Sequence, residues 1–393
     1  MDSFQAQHII ESLRLGIPPE GYVRQFTVGR TKEIEDLIKR LQVHNETAVL
    51  LMANYGSGKT HLLKYIREES LERNYAVSTV TIDSNSGVRF NRMDQIFGAV
   101  CRNIEIPQSP GQKGLRSFFN FLVGEINKKN DESIWQEISN NWKWDYSEVL
   151  NSPAIFIGIR AWATGNDKAA DIVEDWFFQP WQYKAKLKKL YTQLIENLRP
   201  FFRDPRPDWK FYTDQVFTFD SNGYSQSWAA LSDLNILALY SDLNGLIILF
   251  DEFEDVITNL KNVAHQEAAF WNLFHFYSGK KYFGKTFYAV TPAFVEKCKN
   301  ILLNKGRWDF DFSLFDKLPT YEMSPLTTEH LYELAMRILE THGIAYNWEP
   351  DLEMKASQLL KIINAASLQT QDRARHIIKS VVKALDDLYQ ESP

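Results

Sequence analysis

Ala53-Asn54-Tyr55-Gly56-Ser57-Gly58-Lys59-Thr60 has the spacing of a phosphate-binding loop, with Ala53 where the first glycine usually stands. Before it, Thr47-Ala48-Val49-Leu50-Leu51-Met52-Ala53 reads as a buried strand. After it, His61 to Arg67 reads as a helix with Leu62, Leu63 and Ile66 on one face. Strand, glycine-rich loop and helix form the context the motif requires. Gly56 and Gly58 admit the backbone curl that turns successive N–H groups inward, and a helix N-terminus favours negative charge there. Lys59 is placed to reach the β- and γ-phosphates of ATP, and the Thr60 hydroxyl to take a place on Mg²⁺. Nucleotide contacts are therefore expected from Asn54, Tyr55, Gly56, Ser57, Gly58, Lys59, Thr60 and His61. The bland alternative, a Gly-Ser turn before Lys-Thr, does not account for the two flanks.

Gly245-Leu246-Ile247-Ile248-Leu249-Phe250-Asp251-Glu252 is a short apolar strand ending in two acids. An acid at the end of a buried strand beside a phosphate loop can hold Mg²⁺, the role given to Asp251. Glu252 is then placed to polarise an attacking water, with Glu254 in reserve. Glu254 and Asp255 follow directly, so a solvated acidic turn is the competing reading.

The chain's 393 residues suggest two or three domains. With 44% hydrophobic and 24% charged residues, it has the composition of an ordinary globular protein. A formal net charge of −6 gives no global pull toward nucleic acid. The densest basic run, Lys184, Lys186, Lys188 and Lys189, reads as a solvated helix face or, more sharply, a phosphate contact. The two cysteines, Cys101 and Cys298, lack metal-ligand spacing, which points to a reduced compartment and a cytoplasmic location. The N-terminus lacks a basic region with an apolar core, and no apolar run reaches the length of a membrane span, so no membrane association is expected.

Residues 4–15 can form an amphipathic helix, broken by Gly16-Ile17-Pro18-Pro19-Glu20-Gly21. Phe26-Thr27-Val28-Gly29-Arg30 and a helix over 32–41 follow. A strand over 75–83 and a helix from about 93 to 104 continue the alternation, which predicts an α/β fold: a parallel sheet with helices on both faces. Residues 106–240 interrupt it. They hold eight of the eleven tryptophans and read as a mostly helical, aromatic-cored insertion, with helices over 165–178 and 182–198. Tryptophans on such a body are expected in a core rather than stacked on bases. The sheet resumes over 241–324, with strands at 285–291 and 319–323, and 325–393 is helical. The domain reading is thus 1–105 and 241–324 for the core, 106–240 for the insertion and 325–393 for a helical lid.

Several segments together resemble the ATP-binding protein of bacteriophage-exclusion (BREX) systems and its relatives. They are Leu13 to Leu41, the loop over 54–60, Arg160-Ala161-Trp162-Ala163-Thr164-Gly165-Asn166-Asp167, Leu246 to Glu254, and Pro325-Leu326-Thr327. The Val28-Gly29-Arg30 turn and its helix are similar to the leading segment of AAA+ ATPases of the origin-recognition and STAND-like branches. That resemblance implies contact of Gly29 and Arg30 with adenine. It also implies a first γ-phosphate sensor at Thr291 and a second at Arg373, with Arg375 in reserve. The family implies an AAA+-like ATPase acting in anti-phage defence, often beside a large helicase. The sequence departs from the pattern at Ala53. It also offers only Arg307 as an arginine finger, which bears on self-assembly driven by ATP. Three functional readings follow: an Mg²⁺-ATP hydrolase driving a helicase or DNA-processing partner, a nucleotide-locked scaffold with slow turnover, and a DNA-binding AAA+ regulator.

Overall fold

The computed structural model describes residues 1–42, 47–129, 133–139, 147–182, 216–220, 222–349, 352–367 and 373–390. Six strands form one sheet: β1 (Ala48–Met52), β2 (Ala76–Thr81), β3 (Ile104–Glu105), β4 (Leu246–Asp251), β5 (Lys285–Val290) and β6 (Thr320–Glu322). Their order is β3-β2-β4-β5-β1-β6, and all pairs are parallel except β2 with β3. The mixed α/β class agrees with the sequence, as do the positions of the five longer strands. The two-residue β3 was not anticipated, being too short to show a period.

Near-continuous apolar runs in β1 and β4 arise because both faces of the sheet are covered. Alternate residues point to opposite sides. Val49, Leu51, Ile247 and Leu249 pack with Leu62, Leu63 and Ile66 of the helix Lys59–Glu72 and with Leu37 and Leu41 of Thr31–Gln42. Ala48, Leu50, Ile248 and Phe250 face the other way, into a larger core. The helices Met93–Asn103, Ser225–Tyr240 and Val263–Ser278 contribute to that core.

The insertion does not close a core of its own among the described residues. Trp176, Phe177, Phe119 and Phe217 lie in the same apolar cluster as Phe97, Phe250 and Tyr288 of the sheet face. Phe97 makes ring contacts with both Phe177 and Phe219. Among the described residues, rings of the insertion and of the sheet face share one continuous interior, and they cover the apolar face of the helix Met93–Asn103. Trp162, Trp176 and Trp228 are buried, as a core role requires. Within the insertion, the helix expected over 165–178 runs Asp167–Phe178, capped by Asn166. The expected helix over 182–198 lies, beyond its first residue, outside the described residues, and Lys184, Lys186, Lys188 and Lys189 with it.

The N-terminal helix Ser3–Arg14 leaves the sheet altogether. Its Ala6, Ile9, Ile10 and Leu13 form a second core with Thr328–Tyr346 and Arg373–Gln390. Arg14 fixes the contact by two hydrogen bonds to Asp386, at 2.8 and 3.1 Å. The helices near the two ends thus build one helical body, and Phe26 and Val28 join its core. No helix among the described residues is long and apolar enough to cross a membrane.

Candidate functional site

The loop after β1 closes on two left-handed glycines, Gly56 at φ 67° and Gly58 at φ 93°. Gly58 caps the helix that begins at Lys59, so the helix N-terminus opens onto the loop. Ala53 stands where a glycine is usual because its backbone does not enter the left-handed region, while its N–H reaches Val290 O at 3.1 Å.

β4 brings the acids to the same edge. Thr60 Oγ1 donates to Asp251 Oδ1 at 3.2 Å, and the Glu252 N–H donates to the same oxygen at 2.9 Å. Burial raises the Asp251 pKa, and the Thr60 hydrogen bond opposes the shift. Glu252 takes the left-handed conformation at φ 52° and is exposed. Its pKa is raised by partial burial and by the neighbouring Asp251, Asp83, Asp255 and Glu254. Lys59 Nζ donates to Ala53 O at 2.9 Å and to Asn54 O at 3.3 Å, with Glu254 Oε1 at 3.6 Å. Its ammonium also lies 4.9 Å from the Tyr55 ring centroid.

A cavity of about 360 Å³ runs from this loop between the sheet and the helical body. Its polar end is Tyr55 to His61 with Asp251, Glu252, Glu254 and Asp255. Its apolar end is Leu13, Ile17, Pro18, Val28, Leu334 and Ile378. The turn over 16–21 is tied to the loop helix by Lys64 Nζ on Pro18 O at 2.9 Å and by the Gly21 N–H on Glu68 at 3.0 Å. His61 Nε2 lies 2.8 Å from Thr27 Oγ1. The Thr27 proton already goes to Val23 O at 2.8 Å, so His61 Nε2 is the donor of that pair. Burial, with Arg30 and Lys64 nearby, pushes the His61 pKa down to about 4, so the ring is neutral at neutral pH.

Several expected residues take other places. Arg30 lines the cavity, but its guanidinium donates to Ser57 O at 3.0 Å, to Ser324 O, and to Glu33 at 3.1 Å. It clamps the glycine loop after β1 rather than presenting a free edge. Gly29 lies outside the cavity lining, pressed on His330. Asn54 contributes its carbonyl to Lys59 and to the Ser57 hydroxyl but does not line the cavity. Thr291 is buried beside the loop at the end of β5, with a hydroxyl that has no hydrogen-bond partner, and it too lies outside the lining. Of the two C-terminal arginines, Arg375 lines the cavity and packs on Gly16. Arg373 opens its helix, and its side chain lies outside the described residues. Arg307 pairs with Glu267 at 3.0 Å and Asp309 at 3.5 Å. The apolar wall from Leu334 and Ile378 was missed, since no local signal marks which helix face meets a cavity.

Residues 2–148 match the family described as BREX system ATP-binding protein BrxC/D. The match takes in the leading segment, the loop and the start of the insertion, and it bears out over that stretch the resemblance read from the sequence. No match was found among curated proteins or among solved structures.

Proposed function

We propose that this chain, whose residues 2–148 match the family of BREX system ATP-binding proteins, binds Mg²⁺-ATP in the cavity and hydrolyses it in anti-phage defence. The observation that carries the reading is the meeting of Thr60 and Asp251, 3.2 Å apart, at the mouth of a loop closed on Lys59. A hydroxyl and a carboxylate are hard oxygen donors of the kind Mg²⁺ takes one or two at a time, with phosphate oxygens and water completing its shell. When bound, Mg²⁺ would neutralise charge on the β- and γ-phosphates. The loop N–H groups and Lys59 would hold the phosphates. The apolar end between Ile17, Val28, Leu334 and Ile378 would take the base, with His61 and Thr27 beside it. Glu252 would orient the water, Thr291 and Arg373 or Arg375 would sense the terminal phosphate, and turnover would drive a helicase or DNA-processing partner. A strand order with β5 between the loop strand β1 and the acidic strand β4 supports an AAA+-like core.

Thermal unfolding tests binding. Saturating Mg²⁺-ATP should stabilise the wild type by about 2.7 kcal/mol at a hundredfold excess over Kd, and Lys59→Ala by far less. Equal gains in both proteins would remove the phosphate-loop assignment. Phosphate release tests chemistry: Glu252→Gln should bind ATP yet lose hydrolysis by about 10²-fold. The slow-turnover reading is favoured by one observation, the pairing of Arg307 within its own chain, which leaves that arginine committed locally.

A further inference from the structure

The phosphate-loop lysine already has anionic and carbonyl company. Two of its N–H groups go to Ala53 O and Asn54 O, and the third side of the ammonium faces Glu254. The Glu254 side chain is 10% exposed and lines the cavity, and its second carboxylate oxygen, Oε2, is buried with no hydrogen-bond partner. The turn that carries it is held from both sides. Phe253 N–H donates to Ala289 O at 3.1 Å, and the Phe253 ring packs on Phe90, Tyr288 and Phe294. The left-handed Glu252 reverses the chain just before it, so the exposed acid is Glu252 and the more enclosed one is Glu254. Neither Asp251 nor Glu252 has an ion pair with Lys59 in this arrangement.

A carboxylate set against the phosphate-loop lysine occupies the electrostatic position of a terminal phosphate. We propose that Glu254 is a latch on Lys59: it competes with a γ-phosphate for the ammonium and must give it up when ATP enters. This rests on the reading of the loop as a phosphate site. Glu254 acts through Lys59 and is a positioning residue. Its negative charge opposes the ligand that brings a γ-phosphate more than the one that lacks it. The latch therefore lowers the preference of the site for ATP over ADP.

Calorimetric titration with Mg²⁺ plus ADP, and with Mg²⁺ plus a non-hydrolysable ATP analogue, tests the latch in the full chain. Glu254→Gln keeps the size of the side chain and removes its charge. It should tighten the ATP analogue roughly tenfold and change ADP by less than about twofold. Glu254→Ala should shift the same ratio in the same direction without an amide in the site. A wild-type ratio of the two affinities in both variants, or a weaker ATP analogue, overturns the latch. In that case Lys59→Ala still loses binding and the nucleotide site stands. If the wild type binds neither nucleotide, the site reading fails and the latch fails with it.

Discussion

Gly29 holds φ 60°, and a Cβ built on it would sit 2.3 Å from His330 Nδ1. Both the backbone conformation and the space demand glycine, for a reason of packing rather than of ligand contact. Gly29→Ala should destabilise the chain by about 1–3 kcal/mol in urea unfolding. Adding His330→Ala should recover the steric part of that loss and leave the backbone part. His61 makes the second case at this scale. Its folded-state pKa of about 4 lies below its ordinary value of 6.5. Above pH 6.5 neither the folded nor the unfolded chain holds the proton, and the full stability is present. Between 6.5 and 4 the unfolded chain takes the proton first, so stability falls as pH falls, by about 2 kcal/mol at pH 5. Asp233 works in the opposite sense. Burial pushes its pKa up to about 6, which adds stability as pH falls through that value. The difference between wild type and His61→Gln isolates the histidine: the variant should lose less stability between pH 7 and pH 5 than the wild type does.

The helix Ser3–Arg14 is capped as a local unit, with Asp2 accepting from the Gln5 N–H and Gln5 answering to the Asp2 N–H. Its apolar stripe needs a partner, which the helices Thr328–Tyr346 and Arg373–Gln390 provide. Ile10 is fully buried there. Ile10→Ala should cost about 2–5 kcal/mol, the range for truncating a buried aliphatic side chain. Because the core is shared, amide exchange should quicken in 373–390 as well as in 3–14. Faster exchange confined to 3–14 would mean that the helix is an appendage. Leu13, from the same stripe, also lines the cavity, so this packing shapes the cavity wall.

Two bodies meet at the cavity, and arginines tie together the segments that surround it. Arg30 reaches Ser57 O and Ser324 O, and Arg337 reaches Gln25 O at 2.7 Å and Thr27 O at 3.1 Å. A nucleotide with its phosphates on the loop and its base at the apolar end would touch both bodies at once. Saturating Mg²⁺-ATP should therefore slow amide exchange in 13–28 and 374–378 as well as in 54–62. Protection limited to 54–62 would place the base elsewhere. Lys59→Ala should weaken all three together, because anchoring at the phosphates holds the rest of the ligand in place.

The chain by itself determined whatever is local. The loop, the apolar strands β1, β4 and β5, the acid at the end of β4 and the break at 16–21 each follow from a few consecutive residues whose spacing dictates backbone and burial. Thr60 and Asp251 were legible as partners because the loop that carries Thr60 follows one buried strand and Asp251 ends another, and parallel strands in one sheet end on the same edge. What covers each apolar face was a different matter. Many faces would fit the stripe of the helix 3–14 or the rings of the insertion equally well by pattern alone. Only the packed molecule selected the C-terminal helices for the first and the open sheet face for the second. The roles of the charged groups were decided the same way. Arg30 and Glu254 look interchangeable with their neighbours in sequence. Folding buries Arg30 against two carbonyls and sets Glu254 beside Lys59, because a buried charge must find an opposite partner or a carbonyl that only tertiary structure can bring near.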